Sequence, residues 1–304
     1  MNANTWQSQP ERGSAFWIGV LVRVARLLGR SATCSLLWPI ALYFVGTGSA
    51  ARRAAHDYLR RVLGRKPNLW DVARMFHTFA VCTLDRFLVL SGNAKSLHTR
   101  PHWIPAVEAI TRSGNGCLLL VSHLGSFEVL SHLSSSTKHV PLRVLLDRAQ
   151  GRMLTNLFEH LNPDFAASII DAGLPGPQLV LAMREALDSG CNIGIMADRV
   201  RGSETSVDVQ FLGGTARLPA APWNLAIVLK VPVVLAFAIY RGGRTYDIYF
   251  EMLSERIESR RDERAAVSRR WAQRYANALE LRVRDAPYNW FNFFPFWTDE
   301  AADD

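Results

Sequence analysis

Cys117-Leu118-Leu119-Leu120-Val121-Ser122-His123-Leu124-Gly125-Ser126-Phe127-Glu128-Val129-Leu130 organises the reading of the whole chain. The unbroken apolar run up to Ser122 fits a strand covered on both faces. Gly125 then permits a tight bend, Ser126 is a capping residue, and Phe127 opens a helix. The stretch therefore predicts a strand, a turn and a helix in sequence. His123 precedes Glu128 by five positions, which would set them about 140° apart on one continuous helix. They can meet only if His123 lies in the turn and Glu128 in the first helical turn. That placement would let Glu128 take one imidazole N–H and leave the other nitrogen as a general base.

Working outward, short leucine-rich or β-branched runs alternate with helical segments of about a dozen residues. Strands are expected at Cys117–Ser122, Leu142–Leu146, Ala167–Ile170, Asn192–Ala197, Val207–Phe211, Val233–Tyr240 and Tyr246–Leu253. Intervening helices centre on Val107, Leu130, Leu157, Met183 and Leu225, with Gly114, Gly116 and Gly190 as stops. A final helix from about Asp262 to Val283 places Val267, Trp271, Tyr275 and Leu279 on one face. The pattern predicts an α/β fold, a mixed sheet flanked by helices, over 101–304.

Residues 1–100 read differently. From Ser14 to Gly46 the chain is strongly apolar, interrupted by Arg23, Arg26 and Arg30 before the cleaner run Cys34-Ser-Leu-Leu-Trp-Pro-Ile-Ala-Leu-Tyr-Phe-Val-Gly46. Spanning a bilayer takes about 20 apolar residues, so this run reads as a helix lying in or dipping into the interface, its arginines reaching lipid phosphates. Trp17, Trp38 and Tyr43 suit that depth. Glu11, Arg12 and the internal arginines argue against a cleaved signal peptide. The basic stretch Arg52-Arg53, Arg60-Arg61 and Arg65-Lys66 would follow at the level of anionic head groups. Pro67 and Asn68 end one helix and start another from Leu69 to about Leu90. This region is expected to be helical and membrane-associating.

Composition sets limits on function. With 49% hydrophobic residues in 304, the chain has ample core and is not disordered. A net charge of +8 attracts something anionic, and only Lys66, Lys95, Lys138 and Lys230 among the basic residues are lysines. Cys34, Cys82, Cys117 and Cys191 stand singly in apolar surroundings and read as reduced packing residues. His77, His98, His102, His132, His139 and His160 show no paired ligand spacing, so no metal site is expected.

By itself the histidine spacing says little: eight His and 27 acids in 304 residues would produce roughly 0.7 such pairs by chance. Its position at a strand C-terminus, where α/β sheets keep their sites, is what makes it informative. A buried structural histidine bonded to Glu128 is the plainer reading. Ser126 is rejected as a nucleophile because Leu-Gly-Ser-Phe-Glu lacks the second glycine of a nucleophile elbow.

His123-x4-Glu128 after an apolar strand resembles the His-x4-Asp/Glu box of glycerolipid and lipid A acyltransferases. Other segments agree in order. Leu145-Leu-Asp-Arg148 is similar to the second box, whose arginine would contact phosphate or the thioester donor. Gly194-Ile-Met-Ala-Asp198-Arg199 resembles the third, and Val231-Pro-Val-Val234 the fourth. Val209 to Pro219 and the aromatic tail Pro287-Tyr-Asn-Trp290-Phe-Asn-Phe-Phe-Pro-Phe-Trp297 resemble the lipid A branch, with a likeness in the tail and turn to enzymes of aryl-polyene lipids. The third box lacks the Glu-Gly of glycerol-phosphate acyltransferases and has Arg199 where lipid A enzymes commonly carry Gln. Seven aromatics between Tyr288 and Trp297 exceed the needs of a core edge and suggest an interfacial anchor or an acyl-chain groove.

The resemblance implies an acyltransferase that moves a fatty acyl group from acyl carrier protein or coenzyme A to a hydroxyl or amine of a membrane lipid or glycolipid. His123 and Glu128 would be catalytic, and Arg148, Asp198 and Arg199 substrate-binding. No covalent intermediate and no cofactor beyond the acyl thioester co-substrate are implied. The expected location is the cytoplasmic face of a bacterial inner membrane, against its anionic surface. Two other readings compete: a noncatalytic basic protein binding membrane or nucleic acid, and a thioester or ester hydrolase using the same pair. Nucleic acid is not expected as a partner of the enzyme.

Overall fold

A computed structural model describes residues 15–92, 97–102, 105, 109–110, 114–130, 141–148, 162–200, 202 and 204–298, apart from the side chains of 15–22 and 26. The N-terminal region is helical: α1 (Ala15–Thr47), α2 (Ser49–Leu63) and α3 (Leu69–Leu90). The strands are β1 (His98–His102), β2 (Leu118–Val121), β3 (Leu142–Leu146), β4 (Ile169–Asp171), β5 (Asn192–Met196), β6 (Ser206–Phe211), β7 (Gly214–Pro219), β8 (Val233–Gly242) and β9 (Thr245–Ser254). Between and after them run α4 (Pro163–Ala167), α5 (Gly176–Asp188), α6 (Ala221–Leu229) and α7 (Arg264–Asp285). A further helix begins at Phe127 and is described as far as Leu130. Of the expected helix at Val107 only 105 and 109–110 are described, and these are helical; the expected helix at Leu157 and the side chain of Trp17 lie outside the described residues.

Seven strands form one mixed sheet in the order β1-β9-β8-β2-β5-β3-β4. All described pairings in it are parallel except β8 with β9. β2 therefore sits between β5 and β8. Alternate side chains leave it on opposite faces: Leu118 and Leu120 join Ile193, Ile195, Trp223 and Tyr275 on one side, and Leu119 and Val121 join Val234, Ala236, Phe127 and Val129 on the other. Burial on both faces is why these strands read as continuous apolar runs rather than alternating ones.

Two strands escape the hydrophobic reading. β1, His-Thr-Arg-Pro-His, is polar and mostly exposed, and it lies at the sheet edge beside β9, a position that tolerates Pro101. β7 is the second arm of a separate hairpin with β6. Its two-residue loop holds Leu212 (φ 50°) and Gly213 (φ 76°), the pair of positive φ values a tight hairpin turn requires. A leucine is disfavoured there. Leu212 is anchored in compensation, its N–H donating to Glu280 of α7 at 2.7 Å while its side chain is buried.

Asn68 and Asp71 form a reciprocal capping box that starts α3, as the Pro67-Asn68 break predicts. α1 is broken at Gly29 (φ 79°, ψ 158°), and Leu27–Thr47 is long and apolar enough, by length and composition, to cross a membrane. One face of that segment, carrying Leu37, Ala41 and Val45, is nonetheless buried in the protein. The expectation that Arg30 reaches lipid phosphate is not met. Arg30 turns inward and pairs with both carboxylate oxygens of Asp85 on α3 at 2.6 Å, while Tyr246 of β9 donates to the same carboxylate at 2.7 Å. A charged pair is tolerated in that interior because each group is hydrogen-bonded to the other. Part of the α2 basic stretch is likewise satisfied within the protein. Arg52 donates to the Val45 carbonyl, Arg61 lies over the Trp297 ring, and Arg65 pairs with Asp71.

Candidate active site

Strand register builds the site. β2 and β5 pair in parallel with Val121 opposite Met196, so two residues further on His123 stands beside Asp198. The His123 N–H donates to Asp198 Oδ2 at 2.9 Å and its Nδ1 lies 2.8 Å from Oδ1, across 75 positions of sequence. Trp290 Nε1 donates to Oδ2 at 3.0 Å. Asp198 is fully buried yet fully satisfied.

The turn itself is forced by close packing. Gly125 has φ 74°, and a Cβ there would lie 1.7 Å from the Ala238 carbonyl oxygen of β8, so no larger residue fits. Ser126 N donates to that same oxygen at 3.1 Å, and Gly125 N donates to Asn289 O at 2.9 Å. The aromatic tail closes over the turn. Leu124 bridges Trp290, and Phe291 N donates to the His123 carbonyl at 3.1 Å. The expectation that the tail serves as an interfacial anchor is thereby not met by its central residues. Trp290, Phe291 and Phe296 are buried, and the first two back the histidine turn while Phe296 packs edge-on against Trp290.

Electrostatics favour an ionised aspartate beside a neutral histidine. Burial opposes a charge on Asp198, but His123, Arg199 and the hydrogen bonds outweigh it and hold the carboxyl well below the usual carboxylate range. Burial and the Arg199 cation together pull His123 below its ordinary value despite the opposing pull of Asp198. Nδ1–H then donates to Asp198, and Nε2 keeps a free lone pair. The His123 side chain retains 30% exposure, so the ring is reachable.

The expected bond between Glu128 and the imidazole is not formed. Asp198 occupies Nδ1, and the Glu128 carboxylate is held elsewhere. Its Oε1 pairs with Arg86 Nε of α3 at 2.8 Å, and Ser126 Oγ donates to Oε2 at 3.2 Å. Arg199 follows Asp198, donates to the Phe291 carbonyl at 2.5 Å and lies over the Phe294 ring. Its Nε is buried without a hydrogen-bond partner. Burial and nearby Arg86 bring the guanidinium down to about 10, still charged at neutral pH. Arg148 is not brought to this cluster. It lies just past β3, two strands from β2, with its guanidinium on the Ala166 carbonyl at 3.4 Å. A cleft of about 480 Å³ opens at the C-terminal ends of β3 and β5, with Leu145, Ile195, Met196 and Leu225 below and Asp147, Arg199 and Glu204 among its polar lining.

Arg86 and Trp290 are the site residues that sequence reasoning did not single out. Arg86 lies in α3, a helix legible in the sequence but with no motif around that arginine, and Trp290 is one of several tail aromatics.

A mixed α/β sheet carrying a reachable histidine and a buried aspartate at adjacent strand ends defines a protein equipped to take a proton from a bound substrate. Residues 3–299 match the family model of bacterial lipid A biosynthesis acyltransferases, and the chain belongs to that family. It is an acyltransferase. No curated protein matches the chain.

Proposed function

We propose that the protein transfers a fatty acyl group from the thioester of acyl carrier protein or coenzyme A to a hydroxyl or amine of a lipid or glycolipid acceptor, with His123 as general base. The hydrogen bond from His123 Nδ1 to buried Asp198 is the observation that carries this reading. Nε2 removes the acceptor proton as its oxygen or nitrogen attacks the thioester carbonyl carbon. The C–S bond then breaks, and the thiolate leaves with that proton. No protein nucleophile intervenes. Asp198 takes the orienting role that the motif alone suggests for Glu128.

Arg199, at the edge of the cleft and short of one partner, is suited to an anionic group of donor or acceptor. The acidic carrier protein and the phosphates of coenzyme A both match the +8 chain. The proposed location is the cytoplasmic face of the inner membrane. Exposed Leu27, Leu28, Leu36, Ile40, Leu42 and Tyr43 on α1, with Leu69 and Trp70 at the start of α3, support contact with lipid. Trp38 stacks on Trp70 at 4.7 Å and ties these two apolar segments together.

Acyl transfer by the purified protein, measured with each donor and a lipid A precursor or bacterial lipid extract, tests the reading. Wild type should form acylated lipid, and His123→Ala should lose at least about 10²-fold in kcat. Unchanged transfer by His123→Ala would refute the mechanism, and release of free fatty acid without acylated lipid would refute transfer in favour of hydrolysis.

A further inference from the structure

The mechanism above leaves one pair in the site without a task, Arg86 and Glu128. Glu128 is 5% exposed, accepts the Ser126 hydroxyl on one oxygen and pairs by charge with Arg86 Nε at 2.8 Å on the other. Arg86 Nε is buried in that ion pair and makes no hydrogen bond of its own, yet its side chain retains 29% exposure. No described hydrogen bond occupies its two terminal nitrogens. Arg199, by contrast, is tied to the Phe291 carbonyl and the Phe294 ring. Arg86 is thus the better placed of the two cations to meet a new anion.

We propose that Arg86 stabilises the oxyanion of the tetrahedral intermediate, and that Glu128 is a positioning residue acting through Arg86 rather than through the imidazole. This rests on the general-base reading of His123. The charges balance on that assignment. At rest Arg86 and Arg199 cancel Asp198 and Glu128, with His123 neutral. When the acceptor O–H adds to the thioester carbon, an O–C bond forms and the proton moves to His123 Nε2. The carbonyl π pair moves onto oxygen. One positive and one negative charge have appeared together, the imidazolium beside Asp198 and the oxyanion beside Arg86. Collapse restores the C=O, breaks C–S, and returns the proton from Nε2 to the departing thiolate. A cation standing where negative charge develops would stabilise that state.

The electrostatics of the site agree with this placement. Arg86 acts on His123 and on Arg199, in each case disfavouring the protonated form. Among the described residues, the charged groups around His123 are Arg86 from α3, Glu128 from the helix that follows the turn, and Asp198 and Arg199 after β5.

The test is a double-mutant cycle on the full chain, with acyl-transfer kinetics, pH profiles and thermal unfolding for every variant. Arg86→Gln should lower kcat about 10²- to 10³-fold with donor KM within about threefold. Its acid limb should move to higher pH, because a cation near His123 is gone. Glu128→Gln should lower kcat less and move the acid limb to lower pH. In the double variant kcat should equal that of Arg86→Gln, since Glu128 then has nothing to position. Arg86→Lys should recover part of the rate, which a purely structural role would not require. A rise in KM alone for Arg86→Gln would overturn the oxyanion role, as would wild-type kcat in a folded protein. A double variant worse than Arg86→Gln by the full Glu128→Gln factor would return Glu128 to the imidazole. If His123→Ala is active, the general-base reading fails; if it is inactive while Arg86→Gln is normal, this inference fails alone.

Discussion

Asp198→Asn changes one oxygen to nitrogen and asks a sharp question of the site. Asp198 Oδ2 receives two N–H donors, the His123 amide at 2.9 Å and Trp290 Nε1 at 3.0 Å. The asparagine carbonyl must take that position, since an amide N–H₂ there would face two donors. The N–H₂ is then left opposite His123 Nδ1, which sits 2.8 Å from Oδ1 in the parent. Nδ1 must become the acceptor, so the imidazole proton moves to Nε2 and the lone pair that removes the acceptor proton is gone. General-base assistance contributes about 10² to 10⁴ in rate, so kcat should fall by that factor, about 3–5 kcal/mol in the barrier. All three hydrogen bonds can still form, and the fold should survive with little change in unfolding temperature. Initial rates of acyl transfer and a thermal melt on the same preparation make the measurement. A well-folded Asp198→Asn protein within about threefold of wild-type kcat would refute the assignment of the imidazole's partner.

Other outcomes follow from the same geometry. Acyl transfer should fall as pH drops through the pKa of His123, because the base must be neutral. Since burial and Arg199 lower that pKa below the ordinary 6.5, the rate-pH profile should have its acid midpoint below 6.5, and a midpoint above it would contradict the electrostatics. Gly125→Ala forces a Cβ against the Ala238 carbonyl and a positive φ on alanine, so loss of more than about 2 kcal/mol in denaturant unfolding, or failure to fold, is expected. Asp85→Asn leaves buried Arg30 short of its counter-charge and should cost about 3–5 kcal/mol by chemical denaturation. Arg30→Met combined with Asp85→Leu should be less harmful than Asp85→Asn alone, because no uncompensated charge remains.

Local chemistry made much of this molecule legible in its sequence. The apolar run before His123, the bend at Gly125 and the helix after it form as the residue types dictate, and the capping box at Asn68 starts α3 where expected. The main sheet strands were readable because both faces of the sheet are covered. β1 was not, since an exposed edge strand needs no hydrophobic signature, and neither was β7, whose partner is the other arm of a hairpin turned by an unfavourable leucine. Arg30 shows the limit of reading charge as exposure: its partner Asp85 lies 55 positions away on another helix, and Tyr246, which shares that carboxylate, lies on β9.

The same limit governs the catalytic centre. Sequence proximity singled out His123 and Glu128 as partners, because a turn and one helical step bring them near. Which carboxylate reaches the imidazole is a matter of strand register, and the parallel pairing of Val121 with Met196 hands that position to Asp198, with Trp290 holding it from the far end of the chain. The sequence by itself determined that a histidine would stand at the end of a buried strand. Only the tertiary structure decided its partner, because hydrogen bonds between strands act across any separation in sequence while motif spacing records only neighbours along the chain.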